Sequence, residues 1–151
     1  EIQEGLQALR ATGTEQRKSY LLALLAETYG RAGKADQGLV ELAEALESEE
    51  HSGERTWEAE LHRLKGELLL FRSAADQGQA EVCFRQAIAV AQKQSAKSLE
   101  LRAATSFARL LQGQGKSKEA RELVQEIYGW FTEGFNAADL KGAKAFLDQL
   151  R

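Results

Sequence analysis

Small residues recur along this chain at nearly fixed intervals, and that recurrence restricts its fold more than any other feature. Ala26, Gly66 and Ala108 stand 40 and then 42 positions apart (66 − 26 and 108 − 66), and Tyr29, Leu69 and Leu111 keep the same intervals. A second set, Gly38, Ala80 and Ala120, is spaced by 42 and 40. It is followed four positions on by Leu42, Phe84 and Val124, and seven on by Ala45, Ala87 and Ile127. A small residue is needed where two helices cross closely, and a large apolar one a turn later fills the space beside it. One supersecondary unit used three times follows from this. Its intervals differ because the turn of the second unit, Phe71 to Gln79, carries two extra residues.

The units are helical. Apolar residues recur at i, i+3, i+4 and i+7 in stripes such as Leu22, Leu25, Ala26 and Tyr29, or Leu61, Leu64, Leu68 and Phe71. Val82, Phe84, Ala87, Ile88 and Ala91 form another, as do Leu101, Ala104, Phe107, Ala108 and Leu111. No segment alternates with period two, and no proline interrupts the helices where average usage of ~5% would place roughly seven. Breaks at Gly13, Arg31 to Lys34, Ser52-Gly53, Ser73 to Gly78, Ser95, Gly113 to Ser117 and Thr132 to Asn136 bound the stripes. The expected helices are 2–11, 17–31, 35–50, 54–72, 77–94, 97–112, 117–131 and 137–150. Short gaps make consecutive helices antiparallel neighbours. The fold class is all-α, in one domain spanning 1–151.

Composition removes several function classes. Twenty Lys+Arg against 23 Asp+Glu leave a net charge of −3, which argues against a sequence-independent grip on nucleic acid. The single cysteine, Cys83, excludes an internal disulfide framework and a Cys-based zinc cage. No apolar run approaches the ~20 residues that span a bilayer, and no signal-peptide pattern opens the chain, so the default compartment is the cytoplasm. The first residue is Glu1 and the chain has no Met, which reads as a fragment of a longer protein.

These residues resemble the tetratricopeptide pattern: a Leu-Gly-like pair, an aromatic three positions on, a turn glycine, then a small, a large apolar and an alanine position. The first unit is similar to it in Leu25-Ala26, Tyr29, Gly33, Gly38, Leu42 and Ala45. The third is similar in Phe107-Ala108, Leu111, Gly115, Ala120, Val124 and Ile127. The middle unit keeps Gly66, Leu69, Ala80, Phe84 and Ala87, with Lys65 before its glycine. The departures are the missing proline after each second helix and a period of ~40 where 34 is usual. The resemblance implies a right-handed α-α superhelix with repeats at 17–50, 54–94 and 97–131. Gly5-Leu6 and Leu9 echo Gly38-Leu39 and Leu42, so residues 2–11 read as part of a preceding unit. Segments Tyr20 to Gly33, Glu60 to Leu70 and Trp130 to Leu147 also resemble the C-terminal repeat region of large bacterial regulators. Those proteins carry an AAA-type or signal-transduction ATPase domain, often after an adenylate/guanylate cyclase or DNA-binding domain.

No catalytic constellation emerges. Gly113-Gln114-Gly115-Lys116-Ser117 ends like a phosphate-binding loop, but Leu110 stands where the motif needs its first glycine and a helix stands where it needs a strand. It reads as a turn, with Ser117 as N-cap. Glu58 and His62 share a helix face, yet two ligands do not make a zinc site, and His51 lies in a loop. Cys83 reads as a small core residue. Glu41, Glu44, Glu47, Glu49 and Glu50 read as a solvated outer face. No cofactor or metal is expected.

The tetratricopeptide resemblance places the first helix of each unit on a concave surface. The non-packing positions there are Tyr20, Glu27 and Arg31, then Glu60, Arg63 and Glu67, then Arg102, Thr105, Arg109 and Gln112. They make a groove acidic in the middle and basic toward the third unit. The expected function is a non-catalytic protein-interaction module or scaffold, serving a partner protein or peptide or other domains of a signalling regulator. The alternative is a sensor holding a small effector in the groove, with Tyr20, Leu64, Phe71 and the basic residues as lining. An RNA-reading repeat and an enzyme fragment are disfavoured by the charge and by the lack of a site. At the C-terminus, 137–150 reads as a capping helix, with Asn136 as N-cap and Asp139, Lys141, Lys144, Asp148 and Arg151 facing outward. The N-terminal end, with Ile2, Leu6 and Leu9, reads as open and available for self-association.

Overall fold

A computed structural model describes Glu4 and residues 15–150, and among these the secondary structure is helical with no strand. The helices are α1 (Glu15–Arg31), α2 (Ala35–Ser52), α3 (Glu58–Arg72), α4 (Gln77–Lys93), α5 (Lys97–Gly113), α6 (Ser117–Tyr128) and α7 (Ala138–Gln149). Apart from Glu4, which is helical and exposed, the expected helix 2–11 lies outside the described residues. No described helix is long and apolar enough to cross a membrane.

Three of the turns are one structure written in different residues. After α1, α4 and α5 the chain closes with a left-handed residue, Gly33, Ser95 or Gly115, at φ 76, 54 and 81°. The next amide reaches back five residues: Lys34 N–H donates to Tyr29 C=O at 2.8 Å, Ala96 to Ala91 at 2.9 Å and Lys116 to Leu111 at 2.9 Å. The left-handed residue itself donates to the carbonyl three before it, at 3.0–3.1 Å. Both bonds satisfy carbonyls that the ending helix leaves open, the Schellman pattern. Because that turn already fixes Lys116 as the N-cap, Ser117 is the first helical residue of α6 and not its cap.

The turn between α3 and α4 differs. The extra residues of the second unit form a 3₁₀ turn, Ala74–Asp76, whose start is capped when Ser73 Oγ accepts from Ala75 N–H at 3.1 Å. Two other expected boundaries move. α3 begins at Glu58 because Arg55–Trp57 make a turn, and α6 ends at Tyr128, where bonds from Trp130 to Ile127 and Phe131 to Tyr128 tighten the chain. α7 starts after Ala137, with no side-chain cap, so Asn136 does not cap it.

Packing sorts the helices into two sets. Among the described residues, α1 packs on α3, α3 on α5 and α5 on α7, whereas α2, α4 and α6 touch only the helices before and after them in the chain. Close approach within this stack depends on glycine. A Cβ on Gly66 of α3 would lie 2.6 Å from the fully buried ring of Phe84 in α4. Leu68 of α3 fills the space that Cβ atoms on Gly30 and Gly38 would take, at 2.5 and 2.9 Å, and so wedges α3 into the α1–α2 hairpin. Ala26, Ala80, Ala108 and Ala120, the small residues of the repeat, are all fully buried. Each fully buried leucine such as Leu68 contributes about 1.5–3 kcal/mol relative to exposure. One core gathers α1–α3 and a second gathers α3–α7, and Leu39 packs against both.

Two stripe residues do not join the core. Phe71 and Val82 are each 63% exposed, because the helix rotation that buries Leu64 and Leu68, or Phe84 and Ala87, turns them out.

Ser95 alone among the three Schellman turns carries a side chain at the left-handed position. That backbone costs a non-glycine residue about 1–2 kcal/mol, part of which glycine returns through its greater unfolded freedom. Ser95→Gly should therefore raise the unfolding free energy by about 0.5–1 kcal/mol in a urea titration. A loss of stability would contradict this account of the turn.

Candidate functional site

The surface of the odd-numbered helices carries two adjoining depressions. One, of about 200 Å³, lies between α1 and α3 and is lined by Glu27, Arg31, Arg63, Leu64, Glu67, Leu68 and Phe71. The other, of about 300 Å³, lies between α3 and α5, where Ser106, Arg109, Leu110 and Gly113 face Glu67 and Leu70. Glu67 belongs to both, so they form one trough across three helices.

Charges in and beneath this trough are joined in an alternating chain. Arg63 donates to Glu60 through Nε at 3.0 Å and Nη2 at 2.7 Å, to Glu67 Oε1 at 3.4 Å, and to Ser106 Oγ on α5 at 3.2 Å. Glu60 Oε1 also lies 3.2 Å from Arg102 Nη1 on α5. Arg102 in turn forms a two-pronged pair with Asp139 of α7, at 2.9 and 3.0 Å. The sequence Glu67–Arg63–Glu60–Arg102–Asp139 thus ties α3, α5 and α7 together. Burial is the largest single influence and opposes the Arg63 charge, but the Glu60 hydrogen bonds and the attraction of Glu60 and Glu67 together outweigh it and hold the guanidinium above its ordinary range. The Asp139 hydrogen bond does the same for Arg102.

This arrangement changes the reading of several groove positions. Glu60 is buried and saturated by two arginines, and Thr105 is buried with its hydroxyl donating to Leu101 C=O at 2.8 Å. Arg102 serves as an interhelical tie, not a free basic group. Asp139 turns inward to meet it, where the sequence placed it on the outer face of the last helix. Tyr20 sits away from the trough, its ring 5.2 Å from that of Trp57. Glu27 and Arg31 pair with each other at 2.6 Å. Gln112 is half-buried, while Arg109 and Phe71 stand exposed at the trough. Phe71 was legible both as a stripe residue of the core and as lining of a groove, and the structure gives it the second place. Its exposure depends on the crossing angle of α3, which sequence spacing does not report.

Elsewhere, the acidic run is not wholly the solvated face assigned to it: Glu41 and Glu44 are half-buried, and Glu49 departs furthest. Glu49 is buried, and its carboxylate accepts from Trp57 N–H at 3.0 Å, joining the end of α2 to the start of α3. Burial raises its pKa, against the lowering effect of that bond and of a bond from Ser19. Position 49 lies four and seven residues beyond the core residues Ala45 and Leu42, a spacing that marks the inner face. His62 is buried, with Glu58 Oε1 4.0 Å from its Nε2, and burial lowers its pKa more than Glu58 raises it. Cys83 is buried and its thiol pKa is raised for the same reason. No group of three His, Cys, Asp or Glu side chains among the described residues could hold a metal ion. Of Gly113 to Ser117, the first and last are helix ends and Gln114, Gly115 and Lys116 make the turn between α5 and α6. The chain matches no protein-family model, no curated protein and no solved structure.

Two expectations follow. Arg102→Ala should cost about 1–2 kcal/mol, between the ~1 of a surface pair and the ~3–5 of a broken buried one, and Asp139→Ala should cost less on top of it than alone. Unchanged melting temperatures would show that the tie carries no stability. For Glu49, the folded pKa lies above the unfolded one, so its favourable protonated form is lost as pH rises through the folded value. Glu49→Gln keeps an acceptor for Trp57 and should raise the melting temperature near pH 7, by an amount that shrinks as pH falls toward 4. A gain that grows on acidification would reverse the assignment.

Proposed function

We propose that this chain is a non-catalytic interaction module, a tetratricopeptide-like stack whose first-helix surface docks a protein segment. The partner is another protein or another domain of the same, longer polypeptide, and the bacterial signalling regulators that the sequence resembles supply the setting: a cytoplasmic arm beside an ATPase or cyclase unit. The observation that carries this reading is the trough on α1, α3 and α5, where an exposed phenylalanine stands among arginines and glutamates. Stacked helical units present such extended surfaces through nearest-neighbour packing. Exposed aromatic and arginine side chains are the types enriched where binding energy concentrates.

The depressions favour a protein segment over a small effector. At about 200 and 300 Å³ they are at or below the ~300–1,000 Å³ typical of small-molecule sites, and both are open to solvent.

Phe71 and Val82 are equally exposed but lie on opposite sets of helices, which makes them a matched pair. A photo-crosslinking phenylalanine analogue placed at position 71 in the full-length protein should capture a partner or another domain, and the same analogue at position 82 should not. Capture from position 82 alone would move the docking surface to the even-numbered helices.

A further inference from the structure

The trough sorts its side chains by chemistry. On the α1–α3 side, Leu64 and Leu68 form a buried apolar floor and Phe71 an exposed wall. On the α3–α5 side the prominent charge is Arg109. Arg31 is paired with Glu27, Arg63 with Glu60 and Glu67, and Arg102 with Glu60 and Asp139. Arg109 is exposed and faces no ion-pair partner among the described residues. The trough lining therefore holds three arginines (Arg31, Arg63, Arg109) against two glutamates (Glu27, Glu67), a local positive excess on a chain whose net charge is −3.

We propose that the occupant is an extended protein segment carrying a bulky apolar residue and, about three residues away, a carboxylate. This rests on the reading of the trough as a docking surface. The apolar side chain enters between α1 and α3 and covers Phe71, and the carboxylate pairs with Arg109 between α3 and α5. The spacing follows from geometry. Packed helices lie about 8–10 Å apart, so the two inter-helix depressions are separated by roughly one such distance. An extended chain advances about 3.3 Å per residue, which spans that gap in about three residues. A guanidinium matches a carboxylate with two parallel hydrogen bonds, so aspartate or glutamate is selected over a neutral amide. Nucleic acid is disfavoured by Glu27 and Glu67 on the trough and by the acidic chain as a whole.

The test is selection of random linear peptides displayed on phage against the purified chain, followed by titration of the enriched peptides as free fluorescent probes. Enriched sequences should pair Leu, Ile or Phe with Asp or Glu at a separation of about three, in either order. Arg109→Gln should weaken the probes at least tenfold. Replacing the probe's acid by its amide should weaken binding to the native chain equally, yet have little effect on Arg109→Gln. Phe71→Ala should weaken the same probes, with circular-dichroism melts of both variants unchanged. Probes that need Phe71 but neither an acid nor Arg109 would overturn this chemistry and leave the docking surface standing. Probes indifferent to both substitutions, or no enrichment at all, would overturn the docking surface as well.

Discussion

The stack depends on helices approaching more closely than ordinary side chains allow. Phe84 lies against the bare backbone of Gly66, and Leu68 lies against Gly30 and Gly38. These two contacts lock α3 to α4 within one hairpin, and α3 to the hairpin before it. Interiors pack at crystal-like density, so an added methyl group at such a point has nowhere to go without moving a ring or a backbone. The repeat of small residues is the sequence record of this constraint, and it fixes which helix faces meet.

Once the apolar faces are locked, the charged layer can be built. Arg63 and Glu60 are nearly enclosed, a position that costs desolvation unless each charge is paired. They are paired several times over, through Glu67, Arg102 and Ser106, and Arg102 passes the linkage on to Asp139. The last helix is thus held by Leu140, Ala143 and Phe146 in the core and by a directional ion pair at its first turn. Apolar burial gives α7 most of its attachment, and the pair sets its register on α5. Beside this linked layer, Arg109 and Phe71 stand exposed at the trough.

Much of the helical frame was legible from apolar spacing and from the turn glycines Gly33, Gly53 and Gly115, whose positive φ angles favour a residue without a Cβ. The crossing residues Gly38 and Gly66 were legible as repeat positions, though Gly30 was not, because no repeated partner marks it. The charged positions were less readable. Arg102 and Arg109 share one helix face seven residues apart, yet one is bound to α7 and the other is free. That difference depends on where α7 lands, a tertiary fact that one helix does not encode. Glu49 was misassigned by its neighbours' acidity although its spacing from Leu42 and Ala45 placed it inward. Phe71 and Val82 fit their stripes by period and left the core by rotation.

The central claim, that close approach at Gly66 sets the geometry of the stack, is tested most directly by a double-mutant cycle between Gly66→Ala and Phe84→Leu. Both residues are in contact, so the cycle isolates the clash between the new methyl group and the ring. Gly66→Ala should destabilise the native chain, and Phe84→Leu should relieve that loss, with a favourable coupling of about 0.5–3 kcal/mol in urea unfolding. Strictly additive effects would contradict the account.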